Sequence, residues 1–104
     1  LQGLEAKQQR LEYLRSRMPS LVYEAKFDLF FTAMFFMQEC LRHLRGDELD
    51  QARTYINGLL KQITPLEENP DASGKKNLIL KLAQRNFEGV CKVLNFLIDI
   101  HVLT

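Results

Sequence analysis

The sequence contains no tryptophan, only two cysteines and only three prolines among its 104 residues. Cys40 and Cys91 lie in apolar runs and lack the CxxC or CxxH spacing of zinc sites. We therefore expect two buried free thiols in a reduced, intracellular protein, cytoplasmic or nuclear, rather than a secreted disulfide scaffold.

The sequence also lacks an excess of either charge, because fourteen Lys and Arg residues balance thirteen Asp and Glu residues to a net charge of +1. Proteins that bind nucleic acid or anionic membranes usually carry a basic excess. Long apolar runs are absent too: the run Leu29 to Met37 falls short of the roughly 20 apolar residues of a membrane-spanning helix. We expect no transmembrane segment.

Catalytic motifs are scarce. His43 and His101 are the two histidines, and they lie on different predicted helices. The sequence has no nucleophile elbow, no phosphate-binding glycine loop and no carboxylate pairs of the diiron-bundle type. We expect no enzymatic activity, no catalytic residues, no metal site and no cofactor.

What is present is the composition of a folded globular domain, with 46% hydrophobic and 26% charged residues. Residues 1–104 are predicted to form a single helical domain. Because the chain begins without methionine and ends in an apolar run, we expect it to be a segment of a larger protein.

Apolar residues recur at helical spacing throughout, and no window alternates as a half-buried strand would. The sequence predicts an all-α fold, a compact antiparallel four-helix bundle whose helices cover about 4–17, 21–45, 48–63 and 75–103. Pro19 and Ser20 separate the first two helices. The string TPLEENPDASG, at 64–74, predicts one long loop before the fourth helix.

Predicted helices 2 and 3 meet at Gly46 and Asp47. Glycine suits the left-handed conformation that ends a helix, and an aspartate side chain can cap the next one. The stretch GDELDQARTYINGLLKQITP, at 46–65, also resembles the second half of a tetratricopeptide repeat, with a glycine, an internal alanine and a closing proline. The resemblance implies a helical hairpin, and because the chain shows no second copy it does not imply a repeat array.

The string FDLFFTAMFFM, at 27–37, holds five of the seven phenylalanines. At ~100° per residue, most of its apolar side chains fall on an arc wider than half the helix. Such an arc needs neighbours on two sides, so helix 2 is predicted to be the central element. The predicted inward residues are Phe27, Leu29, Phe30, Ala33, Met34, Phe36, Met37, Cys40, Leu41 and Leu44.

Phe31 and Phe35 fall outside that arc, beside a charged stripe. The preferred interpretation is that helix 1 covers them, and the alternative is that they form an exposed binding site for another protein. In the alternative, the partner-binding residues are Phe31, Phe35, Gln38, Glu39 and Arg42.

The function predicted from these features is a non-enzymatic protein-interaction, scaffolding or adaptor domain. It would bind a partner helix or short peptide motif on an apolar helix face. One alternative is an anion-binding module for RNA or acidic lipid, through Lys75, Lys76, Lys81, Arg85 and Lys92. Another is homodimerisation through helix 1, whose narrow apolar stripe consists of Leu4, Leu11, Leu14 and Met18.

Overall fold

The computed structural model describes residues 2–103, with side chains from 3 to 100. Over this range the fold is all-helical and without strands, which confirms the predicted fold class. The radius of gyration is 14.3 Å, against about 30 Å for an unfolded chain of this length. The five α-helices within residues 2–103 are α1 (Gln2–Arg17), α2 (Val22–His43), α3 (Gly46–Ile63), α4 (Gly74–Arg85) and α5 (Phe87–Leu103), with a 3₁₀ turn at Pro19–Leu21.

Helix α2 is the central element, because α1, α3 and α5 all pack against it. Most of its predicted inward residues are buried, whereas Phe36, Leu41 and Leu44 are only partly buried. Phe30 is fully enclosed, with its ring edge-on to Phe87 of α5 at 5.5 Å. The buried residues of α2 are Phe27, Leu29, Phe30, Ala33, Met34, Met37 and Cys40.

The prediction of one continuous fourth helix is wrong, because Asn86 divides this segment into α4 and α5. Asn86 has φ −149° and ψ 84°, outside the helical region. Its Oδ1 accepts a hydrogen bond from the Gly89 N–H at 3.0 Å, and its carbonyl accepts from Val90 N–H at 3.1 Å. Asparagine is one of the best N-cap residues, and here that local preference ends one helix and begins another. Gly89 leaves room for this cap, since a Cβ there would lie 2.5 Å from Asn86 Nδ2.

The junction between α2 and α3 was predicted in part. Gly46 has a φ of +58°, the left-handed conformation expected of it. However, α3 already begins at Gly46 with Arg45 at its N-cap, so Asp47 lies in the first helical turn and is not the capping residue. Arg45 instead closes the end of α2, because its Nη1 donates to the carbonyls of Leu44 at 2.7 Å and Leu41 at 3.3 Å.

The long loop between α3 and α4 is held by side-chain amides of α4. Gln84 accepts from Leu66 N–H at 2.8 Å and donates to the Leu66 carbonyl at 2.9 Å. Asn77, two turns earlier, makes the same pair of bonds with the backbone of Asn69, both at 2.8 Å. These pairs supply the loop backbone with the partners that a neighbouring strand would otherwise provide. The loop is thereby a fixed part of the fold.

An ion-pair cluster joins α3 to α5. Arg53 makes a two-pronged contact with Glu88, from Nε at 2.7 Å and Nη2 at 3.1 Å, and a further contact with Asp50 at 2.9 Å. Lys92 reaches Glu88 from the next turn of α5 at 3.1 Å. The hydrogen bonds from Arg53 lower the pKa of Glu88 below its ordinary value, and Lys92 adds to this effect.

This cluster predicts a dependence of stability on pH. A carboxylate whose pKa is lowered by folding stabilises the fold above its unfolded pKa, and that stability is lost as the pH falls through the folded value. We expect Glu88→Gln to reduce the free energy of unfolding at neutral pH. We also expect that free energy to fall less steeply on acidification in the variant than in the wild type. Urea unfolding at a series of pH values measures both. If the free energy of unfolding fell equally steeply with pH in wild type and variant, Glu88 would not be the source of the pH dependence.

Candidate functional site

Helices α2 and α5 are joined by a ladder of polar contacts. Cys91 Sγ donates to the Met34 carbonyl at 3.6 Å. One helical turn further along, Gln38 Nε2 donates to Asn95 Oδ1, and Asn95 Nδ2 donates to the Gln38 backbone carbonyl, both at 3.1 Å. The next step pairs Arg42 with Asp99 at 3.0 Å. Residue numbers rise by four on both helices, so α2 and α5 run side by side in the same direction.

A shallow depression follows one edge of this ladder, and four of the five predicted partner-binding residues meet there. Phe35 forms one wall and Ile98 of α5 the other, with the Gln38–Asn95 pair between them. Phe35 is 65% exposed and Ile98 is 49% exposed. We call this feature the α2–α5 depression. Its lining residues are Phe35, Gln38, Glu39, Arg42, Asn95, Ile98 and Asp99.

The preferred expectation, that helix 1 covers both outer phenylalanines, is wrong for Phe35, which is largely exposed. Phe31 is half-buried, with aromatic neighbours on α2 and a cationic one on α4. Its ring lies 4.9 Å from that of Phe27 and 5.8 Å from that of Phe30, and Lys76 Nζ of α4 lies 5.3 Å from its centre. Phe31 therefore belongs to the packing of α2 and is separate from the depression.

Helix α1 does not cover Phe35 and packs against other parts of α2 and α3. Lys7 pairs with Asp28 of α2, and the Tyr55 hydroxyl of α3 donates to the Gln8 side chain. Three leucines of the helix 1 stripe, Leu4, Leu11 and Leu14, are buried in this chain, and Met18 is half exposed.

The polar residues of the depression have partners within the chain. Gln38 and Asn95 satisfy each other, and Arg42 contacts both Asp99 and the Asn95 carbonyl, the latter at 3.4 Å. Glu39 Oε2 lies 3.3 Å from Nε2 of His43. An apolar ligand laid across the depression therefore covers polar groups that are already hydrogen-bonded, which lowers the cost of removing them from water.

The outward face of α5 carries exposed apolar residues that were not predicted from the sequence. Its apolar residues Val93, Phe96, Leu97 and Ile100 are between 41% and 62% exposed. The signal was visible, since positions 93, 96 and 100 are apolar although they lie opposite the core-facing Cys91. The prediction assigned a single apolar face to one continuous helix over 75–103, and these positions lie outside that face.

The five predicted anion-binding residues are not gathered on one surface. Lys92 lies on α5, beyond the Asn86 break, and pairs with Glu88. Lys76 sits over the Phe31 ring, and Lys81 and Arg85 share a depression with Glu67 and Glu68 of the loop. Lys75 is exposed in the first turn of α4. Nearby carboxylates thus offset the positive charge of three of these residues.

Both cysteines are buried free thiols, as predicted. Burial raises the pKa of Cys91 to about 12 and raises that of Cys40 as well. Both side chains are therefore protonated at neutral pH and pack as small apolar groups.

No family model matches the chain, and no curated protein or solved structure is similar to it. The structure contains the hairpin of α2 and α3 that the resemblance to a tetratricopeptide repeat implies. None of the helices within residues 2–103 has the length and apolar character needed to cross a membrane.

Proposed function

We propose that this chain is a non-enzymatic protein-interaction domain, acting as a scaffold or adaptor, which binds a helix or short peptide of another protein in the α2–α5 depression. The observation that carries the proposal is the exposure of Phe35 beside Ile98. Aromatic residues are enriched among the anchors of protein interfaces.

The arrangement suits an amphipathic ligand. Phe35 and Ile98 offer two apolar contacts on either side of the satisfied Gln38–Asn95 pair. A partner helix lying along the depression would set apolar residues spaced by three or four against both walls. Glu39, Arg42 and Asp99 at the rim would then select the partner by charge.

The packing indicates that this site is preformed. The ladder between α2 and α5 fixes the two walls relative to each other, and the buried core of α2 lies directly beneath. A preformed site loses little conformational entropy when it binds.

The test is a screen of displayed helical and extended peptides against the immobilised chain, with Phe35→Asp as the counter-screen. We expect peptides that bind the wild type and lose about tenfold or more in affinity on Phe35→Asp. Circular dichroism should show that the variant is folded, because the replaced side chain is already exposed.

Tyr13→Asp is the matched control, since Tyr13 is also an exposed aromatic residue but lies on α1. It should leave peptide affinity unchanged. If the selected peptides bind Phe35→Asp as tightly as wild type, or if Tyr13→Asp weakens them equally, the depression is not the binding site.

A further inference from the structure

The outward face of α5 carries apolar residues at the spacing of a helix-pairing seam. Gly89, Val93, Phe96 and Ile100 follow one another at intervals of four, three and four residues. This alternation keeps small or apolar residues along one line of a helix and is typical of helices that pack against another helix. Val93, Phe96 and Ile100 are exposed, so the seam lacks a neighbour within the described part of the chain.

The opposite face of α5 is already in use. Cys91 is fully buried against α2, Asn95 joins Gln38, and Glu88 joins Arg53 of α3. Helix α5 is therefore apolar on two sides, one of which supports the fold of this chain. A helix with two apolar faces normally packs against other protein on both of them.

We propose that a second copy of this chain covers the seam, with the two α5 helices packed antiparallel. The seam then pairs with itself. Val93 packs against the partner's Phe96, and Gly89 packs against the partner's Ile100, each contact occurring twice about the two-fold axis. The Asn86 side chain keeps position 89 small, and the large side chain opposite fills the space that the glycine leaves.

The charges beside the seam favour a second copy of the chain as the occupant and favour the antiparallel orientation of the two α5 helices. On one flank, the antiparallel pairing brings Lys92 near the partner's Asp99, and by symmetry Asp99 near the partner's Lys92. On the other flank, Val90 meets the partner's Leu97, which places apolar against apolar. A parallel pairing would instead set Lys92 against the partner's Leu97 and form no ion pair.

Lys92 and Asp99 remain accessible for these contacts. Within the chain, Lys92 pairs with Glu88 at 3.1 Å and Asp99 with Arg42 at 3.0 Å. Their side chains are nonetheless 60% and 58% exposed. Each can therefore keep its internal partner and accept a second one from the opposing helix.

The proposal stands apart from the peptide-binding function, because the seam residues lie on the outward face of α5 and not in the depression beside Phe35; Asp99, which flanks the seam, is the one residue that also lines the depression. Sedimentation equilibrium of the chain tests it, with Phe96→Asp and Phe35→Asp as a pair of exposed phenylalanine variants. We expect a concentration-dependent dimer for wild type and for Phe35→Asp, and a monomer for Phe96→Asp. Circular dichroism checks that all three are folded, and Val93→Asp repeats the test should Phe96→Asp fail to fold.

Charge exchange tests the direction of pairing. Lys92→Glu or Asp99→Lys alone sets like charges together on both copies of the flank, and each should weaken the dimer about tenfold at low salt. The double variant Lys92→Glu with Asp99→Lys should dimerise more tightly than either single variant, since the pair between the copies is restored with its signs exchanged. Recovery should be partial, because the same changes remove the internal pairs of Lys92 with Glu88 and of Asp99 with Arg42.

A cysteine at position 100 distinguishes the two directions independently. In the antiparallel pairing the two copies of position 100 lie about 16 Å apart along the axis, so oxidised Ile100→Cys should not cross-link. In a parallel pairing the two cysteines would face each other and form a disulfide. A wild type that stays monomeric, an unaffected Phe96→Asp dimer, no recovery in the double charge variant, or rapid cross-linking of Ile100→Cys would each overturn the proposal.

Discussion

Replacing Phe30 by alanine should lower the free energy of unfolding by about 3 to 5 kcal/mol. The Phe30 side chain is fully enclosed, and its ring meets Phe87 of α5 edge-on at 5.5 Å. Alanine removes the apolar surface from the centre of the molecule and leaves a cavity where α2 and α5 meet. Urea unfolding followed by circular dichroism measures the loss.

Phe35→Ala is the matched control, five residues further along the same helix. Because Phe35 is largely exposed, we expect a change within about 0.5 kcal/mol. If Phe30→Ala should leave too little folded protein to analyse, Phe30→Leu gives a smaller loss in the same direction. Equal losses at the two positions would mean that Phe35 contributes to the core, which would also remove the basis of the proposed binding site.

Replacing Gln84 by alanine should lower the free energy of unfolding by about 2 kcal/mol. The Gln84 amide both accepts from and donates to the backbone of Leu66, a buried residue of the loop. Alanine leaves a backbone N–H and a carbonyl near the core without these partners. Hydrogen exchange of the Leu66 amide, measured by NMR, should accelerate together with the loss of stability.

Gln62→Ala serves as its control. Gln62 is exposed on α3, and its backbone carbonyl, which the substitution retains, accepts from Arg15 at 3.2 Å. We expect Gln62→Ala to change stability by less than about 0.5 kcal/mol. Unchanged Leu66 exchange in Gln84→Ala would show that water replaces the amide at no cost and that Gln84 does not hold the loop.

The core of α2 could be predicted from the sequence because apolar spacing alone determines which way Phe27, Phe30 and Met34 point. The division of the last helix could not be predicted in this way. Apolar residues continue at helical spacing on both sides of Asn86, and an asparagine inside a helix costs little. Only the bonds that Asn86 makes to Gly89 and Val90 determine that it caps a helix.

The candidate site could likewise be predicted only in part from the sequence. The sequence brought Phe35, Gln38, Glu39 and Arg42 together because they share one side of a single helix. It could not supply Asn95 and Ile98, which reach the depression through tertiary packing of α5. Nor could it exclude helix 1 as the cover of Phe35, because the place where α1 docks depends on contacts such as Tyr55 with Gln8.

The break at Asn86 also affects how this chain can change by insertion or deletion. In a continuous helix, one added residue turns every following side chain by about 100° and moves an apolar face away from its core. Here the joint between α4 and α5 lies at a residue with non-helical backbone, so an added residue can be absorbed as a longer connection. Helix α5 can then keep its register against α2 while α4 keeps its own against the loop, and the two can diverge in length independently.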